Sequence, residues 1–283
     1  MSLLPIFFAT GLVAGTIDAI AGGGGLISLP MLLSLGLPPS LALGTNKLQS
    51  LCGTAVAAFS YYRHGWLQPR GLLRGVVFTI LGALLGAGTA ELCSNEFLKR
   101  LIPFLLLLVF SYVSFCPRRG QQDEQPKVKE SLFYPLAGLA LGFYDGFLGP
   151  GVGGFWVFLL MYFLGFNLLK ATAYTKVFNL NSNIVAVLCF AMMGQVDYRI
   201  GFVMAVGQVL GAKIGAQFAM RKGVRWVRPL FLFMMLAAIV TLLYRDHSQT
   251  RALLQGGFAL VFLGMGAVYF WNKKKPTVLR EGG

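Results

Sequence analysis

Glycines and one acidic residue recur in the same order in the two halves of this chain, and both copies lie in apolar sequence. The first copy reads Gly11-x-x-x-Gly15-x-x-Asp18-x-x-x-Gly22, and the second reads Gly138-x-x-x-Gly142-x-x-Asp145-x-x-x-Gly149, at an offset of 127. The second half then gains two residues. At an offset of 129, Gly36 matches Gly165, Ala42 matches Ala171, Lys47 matches Lys176 and Gly65 matches Gly194. Gly82-Ala83-x-x-Gly86-Ala87 matches Gly211-Ala212-x-x-Gly215-Ala216 in the same register. Paired repeats whose apolar segments are broken by glycine in corresponding places form the sequence pattern of a secondary transporter.

Composition agrees with a chain that lives in lipid. Of 283 residues, 56% are hydrophobic and 12% charged, with a mean hydropathy of +0.70, whereas a soluble domain carries about 25% charged residues. Apolar runs of the roughly 20 residues needed to cross a bilayer fall near 2–20, 41–62, 71–92, 98–116, 131–148, 171–193, 199–220, 227–244 and 252–271. Two shorter ones, 26–36 and 152–166, each follow a glycine cluster. The longest polar stretch, 117–130, is too short for a soluble domain and reads as a linker. The net charge of +14 does not point to nucleic acid, because the basic residues sit in short loops beside apolar segments, as topology signals do. Cys52, Cys93, Cys116 and Cys189 show no metal or disulfide spacing and read as small packing residues. The first residues carry no basic region and no small-residue cleavage site, so no cleaved signal peptide is expected.

The positions of lysine and arginine choose between two topologies. With Lys47, Lys176 and Lys213 set aside as lying inside apolar segments, 21 basic residues remain. If each glycine-broken unit (2–36 and 131–166) enters and returns to one side, those residues split 16 to 5 between the two faces; if each makes a single crossing, they split 10 to 11. Basic bias sets orientation, which favours the first arrangement. It puts the C-terminus in the cytoplasm and the N-terminus outside. It also gives each half an odd number of crossings, so the halves point in opposite directions, as inverted repeats.

Irregular backbone within a membrane must be buried in protein or line a cavity, because each unsatisfied group costs several kcal/mol in lipid. Gly22-Gly23-Gly24-Gly25 and Gly149-Pro150-Gly151-Val152-Gly153-Gly154 are therefore expected at the protein centre. A short helix that starts after such a break offers amides without intrahelical partners at its positive end, which suits an anion. A tight turn or a close packing contact would use the same glycines without any ligand. Asp18 and Asp145 stand one turn before the breaks. Intramembrane carboxylates invite a coupling role, and a carboxylate held by nearby amides or a partner would instead fix the broken segment. Lys47 and Lys176 lie five to six residues into their apolar runs, within Thr45-Asn46-Lys47 and Tyr174-Thr175-Lys176. They are shallow enough to snorkel to the surface. Inverted symmetry would alternatively aim both at an anion between the halves. Gln49, Asn179, Asn181 and Asn183 offer further hydrogen-bond donors.

The spaced glycines Gly82/Gly86 and Gly207/Gly211/Gly215 read as close-packing helix surfaces. Lys213 has Leu84 as its match and reads as a snorkelling or gating residue. Trp66, Trp226 and Trp271 fall near segment ends, as in an aromatic belt, whereas Trp156 follows a break and is a candidate pocket residue. His64 and His247 lie in loops on opposite faces and cannot share a metal. No catalytic constellation is visible, so neither an enzyme nor a cofactor is expected.

The stretch Gly11-x-x-x-Gly15-x-x-Asp18-Ala-Ile-Ala-Gly22-Gly-Gly-Gly25, followed by Pro30, Gly36 and Ala42-x-x-x-Asn46-Lys47, resembles the sulfite exporter TauE/SafE family, also called the 4-toluene sulfonate uptake permeases. Gly142-Phe143-Tyr144-Asp145-Gly146-Phe147-x-Gly149-Pro150-Gly151 is similar to that family's second-repeat motif, and the likeness covers nearly the whole chain. The resemblance implies a multi-pass transporter of the bacterial cytoplasmic (inner) membrane that moves a small sulfur-containing anion, coupled to a proton or another ion. The two copies differ at Thr45-Asn46 against Tyr174-Thr175, and Val152 interrupts the second glycine run, so the halves cannot hold a ligand identically.

The chain is expected to be an all-α polytopic membrane protein of two inverted repeats with glycine-broken, re-entrant or discontinuous helices. It divides into a first repeat (1–116), a cytoplasmic linker (117–130), a second repeat (131–250) and an additional C-terminal helix and tail (251–283). The anion is expected at Gly22, Gly23, Gly24, Gly25, Asn46, Lys47, Gly149, Gly151, Gly153, Thr175, Lys176 and Asn179, with Asp18 and Asp145 as coupling or structural carboxylates. An anion channel, or a transporter of an unrelated small solute, is the alternative.

Overall fold

The computed structural model describes residues 3–68, 71–115 and 122–222. The expected segment 227–244, the additional C-terminal helix and tail, Cys116, Trp226, Trp271 and His247 lie outside the described residues. Among the described residues there are nine helices and no strand: α1 (Leu4–Ala21), α2 (Gly25–Ser34), α3 (Pro39–Arg63), α4 (Leu72–Leu92), α5 (Asn95–Phe115), α6 (Glu130–Phe147), α7 (Val152–Leu164), α8 (Leu168–Met192) and α9 (Tyr198–Lys222).

Local sequence sets these boundaries. Proline stands in the first turn of α1 and of α3, where its missing N–H costs no helical bond. Asn167 caps α8 by accepting the Lys170 N–H at 2.9 Å. After Ala21 the chain turns on Gly22, at φ +74°, whose N–H returns to the Asp18 carbonyl at 2.8 Å. A left-handed residue closing a helix in this way favours glycine. The left-handed glycines recur with the sequence repeat, since Gly22, Gly36 and Gly65 are joined by Gly151, Gly165 and Gly194, each 129 residues on. α3 and α8 share the same length of 25 residues and the same offset at both ends.

α3 and α8 start two to three residues earlier than the apolar runs suggest. Pro39 opens α3 and the Asn167 cap opens α8, so Lys47 and Lys176 lie eight residues beyond the first helical residue. At a rise of 1.5 Å per residue that is about 12 Å, deeper than the sequence alone implied.

Three helices among the described residues are long and apolar enough to cross a membrane: Leu72–Leu92, Leu168–Met192 and Tyr198–Arg221. α3 matches them in length but carries Thr45, Asn46, Lys47, Gln49 and Thr54, all turned inward and buried. Polarity is concentrated inside, and the outer faces are apolar. Leu73, Val77, Leu81, Leu84 and Leu85 of α4, and Phe202, Val206, Leu210 and Ile214 of α9, are exposed. That distribution inverts a soluble fold and suits lipid.

Packing is crossed between the two halves. α1 lies against α9 and α4 against α6, through glycines that admit the facing backbone. A Cβ on Gly11 or Gly15 would strike Met204 or Gln208, and one on Gly138 or Gly142 would strike Phe78 or Thr79. Gly82 and Gly86 receive α6, and Gly207, Gly211 and Gly215 receive α1. Small residues that allow such approach are the usual device where lipid provides no hydrophobic drive between helices.

Candidate functional site

The helix ends at Gly22 and Gly149–Gly151 meet in the interior. A Cβ on Gly22 would lie 2.7 Å from Gly153, one on Gly153 would overlap Gly22, and one on Gly25 would lie 3.3 Å from Pro150. The end of α1 thus meets the start of α7 backbone to backbone, the start of α2 lies beside Pro150, and both expected anion sites fall in one central region.

Lysines and carboxylates pair across the halves. Lys47 of α3 donates to Asp145 Oδ1 of α6 at 2.5 Å and to the Asp145 carbonyl. Lys176 of α8 donates to Asp18 Oδ2 of α1 at 2.9 Å and to the Asp18 carbonyl. Each pair repeats the other with the halves exchanged. Lys47 is 2% exposed and Lys176 0%; Asp145 is 3% and Asp18 8%. Neither lysine snorkels. A buried pair of this kind is held by geometry and added hydrogen bonds, since desolvation takes back much of the Coulomb attraction. A second crossed pair ties α3 and α8 to the segments that precede α9 and α4, as the Asp197 N–H donates to Thr45 Oγ1 at 2.9 Å and the Tyr174 hydroxyl donates to the Gln68 carbonyl at 3.0 Å. Residues 45 and 174, and 68 and 197, are again 129 apart.

The carboxylates stand where an anion was expected. Asp18 Oδ1 accepts the N–H of Gly24, the N-cap residue of α2, at 3.2 Å. The Cβ of Asp18 lies close above Gly24, and the Lys47–Asp145 pair lies close above Gly149. The positive end of α2 therefore holds an internal carboxylate in this structure.

Around the pairs the two halves differ. In the first, Asn46 Oδ1 accepts from Ser28 Oγ at 2.5 Å and from Gln49 Nε2 at 2.9 Å, and Asn46 faces Gly25. In the second, Thr175 turns its hydroxyl back to the Ala171 carbonyl at 2.8 Å, and aromatics fill the space. Trp156 packs on Phe178 at 4.4 Å, with Tyr134 and Tyr174 beside it. Among the described residues, the buried Gln49 Oε1, Asn179 Oδ1 and Trp156 Nε1 find no hydrogen-bond partner. Asn181 bonds the Val177 carbonyl at 2.8 Å, and Asn183 is buried. Lys213 is exposed on α9.

Sequence reasoning missed Ser28, Ser182 and Gln208. Ser182 Oγ donates to Asp145 Oδ2, so both oxygens of that carboxylate are engaged. These residues have Val157, Gly53 and Thr79 as their counterparts at the 129-residue offset, so matching the halves could not flag them. A polar residue with an apolar or glycine counterpart is the signal that would have found Ser28 and Ser182, whereas Gln208 stands opposite the polar Thr79. No cluster of three or more metal-ligating side chains occurs among the described residues.

Outside the buried centre, Asp123 ties the end of the linker to α8. It accepts the Asn167 N–H at 2.7 Å and pairs with Lys170 at 3.1 Å, while the Glu124 N–H donates to the Gly165 carbonyl at 2.7 Å. Partial burial raises the carboxyl's pKa, but the Asn167 N–H and the Lys170 ammonium outweigh it and hold the group below its ordinary value.

Residues 7–242 match the family model described as sulfite exporter TauE/SafE. The chain belongs to this family. It is 41% identical over 243 residues to a probable membrane transporter protein of Haemophilus influenzae, covering 85% of this chain and 95% of that relative. It is 37% identical over 248 residues to the probable membrane transporter protein YfcA of Escherichia coli, covering 87% and 92%. The probable membrane transporter protein YdhB of Bacillus subtilis is 26% identical over 222 residues. No solved structure matches. As a TauE/SafE member with apolar outer faces and a polar interior, the chain is a membrane transporter.

Proposed function

We propose that this TauE/SafE transporter is a secondary carrier for a small sulfur-containing anion such as sulfite or a sulfonate, working by alternating access in the bacterial inner membrane. Two inverted repeats (1–116 and 131–250) with discontinuous helices at the glycine clusters form the carrier, with the N-terminus outside and the C-terminus in the cytoplasm. The observation that carries this reading is the reciprocal pair of buried ion pairs, Lys47–Asp145 and Lys176–Asp18. Each joins one half to the other, so relative movement of the halves must break or exchange them.

In this reading the carboxylates hold the place of the substrate. An incoming oxyanion takes a lysine ammonium and the amides at the start of α2 or α7, drawing on charge-assisted hydrogen bonds. The displaced carboxylate cannot remain buried and unpaired without large cost, so a proton or another cation neutralises it, and that ion is the one coupled to transport. Gly22, Gly23, Gly24 and Gly25 with Asn46 line the first half of the site. Gly149, Gly151 and Gly153 with Thr175 and Asn179 line the second. Rocking one repeat against the other then exposes the site to alternate sides.

The test is uptake and counterflow of labelled sulfite, sulfate and a small sulfonate in proteoliposomes, with and without a pH gradient. Wild type is expected to show saturable, gradient-driven flux of at least one sulfur anion. Lys47→Ala and Lys176→Ala are each expected to lose it by about a hundredfold or more, as when one charged partner of a desolvated ligand contact is removed (2–5 kcal/mol). Flux that survives both replacements would remove the lysines from the mechanism. Turnover far above carrier rates would instead make the protein a channel.

A further inference from the structure

Gln208 of α9 is fully buried at 0% exposure, and among the described residues neither Oε1 nor Nε2 finds a partner. A buried amide left unsatisfied is destabilising, and a partner in another state of the protein would offset that cost. Its backbone packs on Gly15 of α1, one helical turn before Asp18. Its side chain lies over Gly53 of α3, where a Cβ would stand 2.9 Å from Nε2 and 3.0 Å from Cδ.

The other half shows what stands in this place there. Gly53 corresponds to Ser182 and Gln208 to Thr79, both at the 129-residue offset. Ser182 Oγ donates to Asp145, and the Thr79 hydroxyl is spent on its own helix, at the Gly75 carbonyl, 2.7 Å away. In the first half, the residue that would reach Asp18 as Ser182 reaches Asp145 is a glycine. The space it leaves holds the Gln208 amide. Among the described residues, the Asp18 carboxylate is held by Lys176 and a 3.2 Å bond from the Gly24 N–H. The small-for-large exchange at two touching positions moves the hydrogen-bonding group from α3 to α9.

We propose that Gln208 is a positioning residue that takes over the Asp18 side chain when Lys176 turns to the transported anion, doing for the first half what Ser182 does for the second. This rests on the repeat and carrier reading above. An amide serves either protonation state, since Nε2 donates to a carboxylate and Oε1 accepts from a carboxylic acid. Because the amide comes from α9, which packs on α1 by its glycines, and Ser182 comes from α8, the two halves release their carboxylates to different helices.

The test is a pair of double-mutant cycles read by thermal unfolding in detergent, which needs no substrate. Gln208→Leu, which fills the volume without the amide, is combined with Lys176→Ala and separately with Lys47→Ala. Lys176→Met serves where the alanine variant does not accumulate. Loss of Lys176 throws Asp18 onto Gln208, so the Gln208→Leu/Lys176→Ala protein should melt about 2–4 °C below the sum of the single effects, the shift expected from about 1 kcal/mol of coupling in a chain this size. The cycle with Lys47→Ala should be additive, because Asp145 keeps Ser182. Additivity in the Lys176 cycle, or equal coupling in both, overturns the proposal. In liposomes, Gln208→Leu should lower flux about tenfold, and Gly53→Ser/Gln208→Thr, which restores the second half's arrangement, should recover it. Undiminished flux in Gln208→Leu also overturns it. Absence of sulfur-anion flux in wild type would refute the carrier reading while leaving the melting cycles to decide the role of Gln208.

Discussion

The Lys47–Asp145 pair gives the sharpest test of how the two halves are held together. Asp145 is 3% exposed, with Oδ1 on Lys47 at 2.5 Å and Oδ2 on Ser182; Lys47 is 2% exposed, and among the described residues its ammonium bonds Asp145 alone. Lys47→Met keeps the volume and strands the carboxylate. Asp145→Asn keeps the shape and strands the ammonium. Removing one partner of a buried pair costs about 3–5 kcal/mol, and at about 2–4 °C per kcal/mol for a chain of this size each variant should melt about 6–20 °C below wild type. Combining the two substitutions leaves no buried net charge. The remaining deficit is the position-145 carbonyl that has lost its donor, about 1–3 kcal/mol. The double variant should therefore be more stable than either single one. Thermal unfolding followed by tryptophan fluorescence in a mild detergent measures all four proteins. Additive losses, or single variants melting within about 2 °C of wild type, would refute the claim that this pair is desolvated and specific.

Two further outcomes follow from other contacts. Gly86→Ala should reduce the melting temperature and the yield of folded protein, because its Cβ would enter the Phe143 backbone and overpacking costs about 1–3 kcal/mol or more. Gly88→Ala, two residues on in the same helix, meets nothing within 4 Å and should raise stability by about 0.5–1 kcal/mol; equal effects at both sites would contradict the α4–α6 packing. At the linker, Asp123 has a lowered pKa in the folded chain, so its contribution is present above the ordinary carboxylate value and is lost as pH falls through the folded one. Being half exposed and screened, it supplies about 1 kcal/mol at most. Asp123→Asn should speed proteolytic nicking of the linker at neutral pH, and lowering the pH below about 4 should narrow the difference from wild type. A difference that widens on acidification would contradict the ion pair.

Much of the helical pattern was legible because it follows from local chemistry. The glycine breaks at 22 and 149–151 and the mirrored apolar runs that lie within α3 and α8 needed no tertiary information. Lys47 and Lys176 stood out as charges mirrored within apolar sequence, and so did Asp18 and Asp145. Their pairing did not, because the partners are 98 and 158 residues apart. Mirrored charges permit a bond within each half or between halves with equal ease. What decides it is the packing of α1 on α9 and of α4 on α6, which follows from glycine spacing only when both faces are matched together. Hydropathy also places the lysines too shallow, since helix starts are set by Pro39 and Asn167, not by where hydropathy rises.

The limit of the repeat as a guide has a physical cause. Matching two halves finds residues that both must have, and in a carrier those are the ones that make the two end states equivalent. Ser28, Ser182 and Gln208 are invisible to it because Val157, Gly53 and Thr79 stand opposite them. Yet a carrier with identical halves would hold its anion equally well from both sides and from either half-site. The polar chain Ser28–Asn46–Gln49 on one side and the Trp156–Phe178 stack on the other remove that equality. On the proposed carrier reading, the mirrored lysines and carboxylates account for alternation, and the unmatched residues around them supply any preference for one anion and one direction.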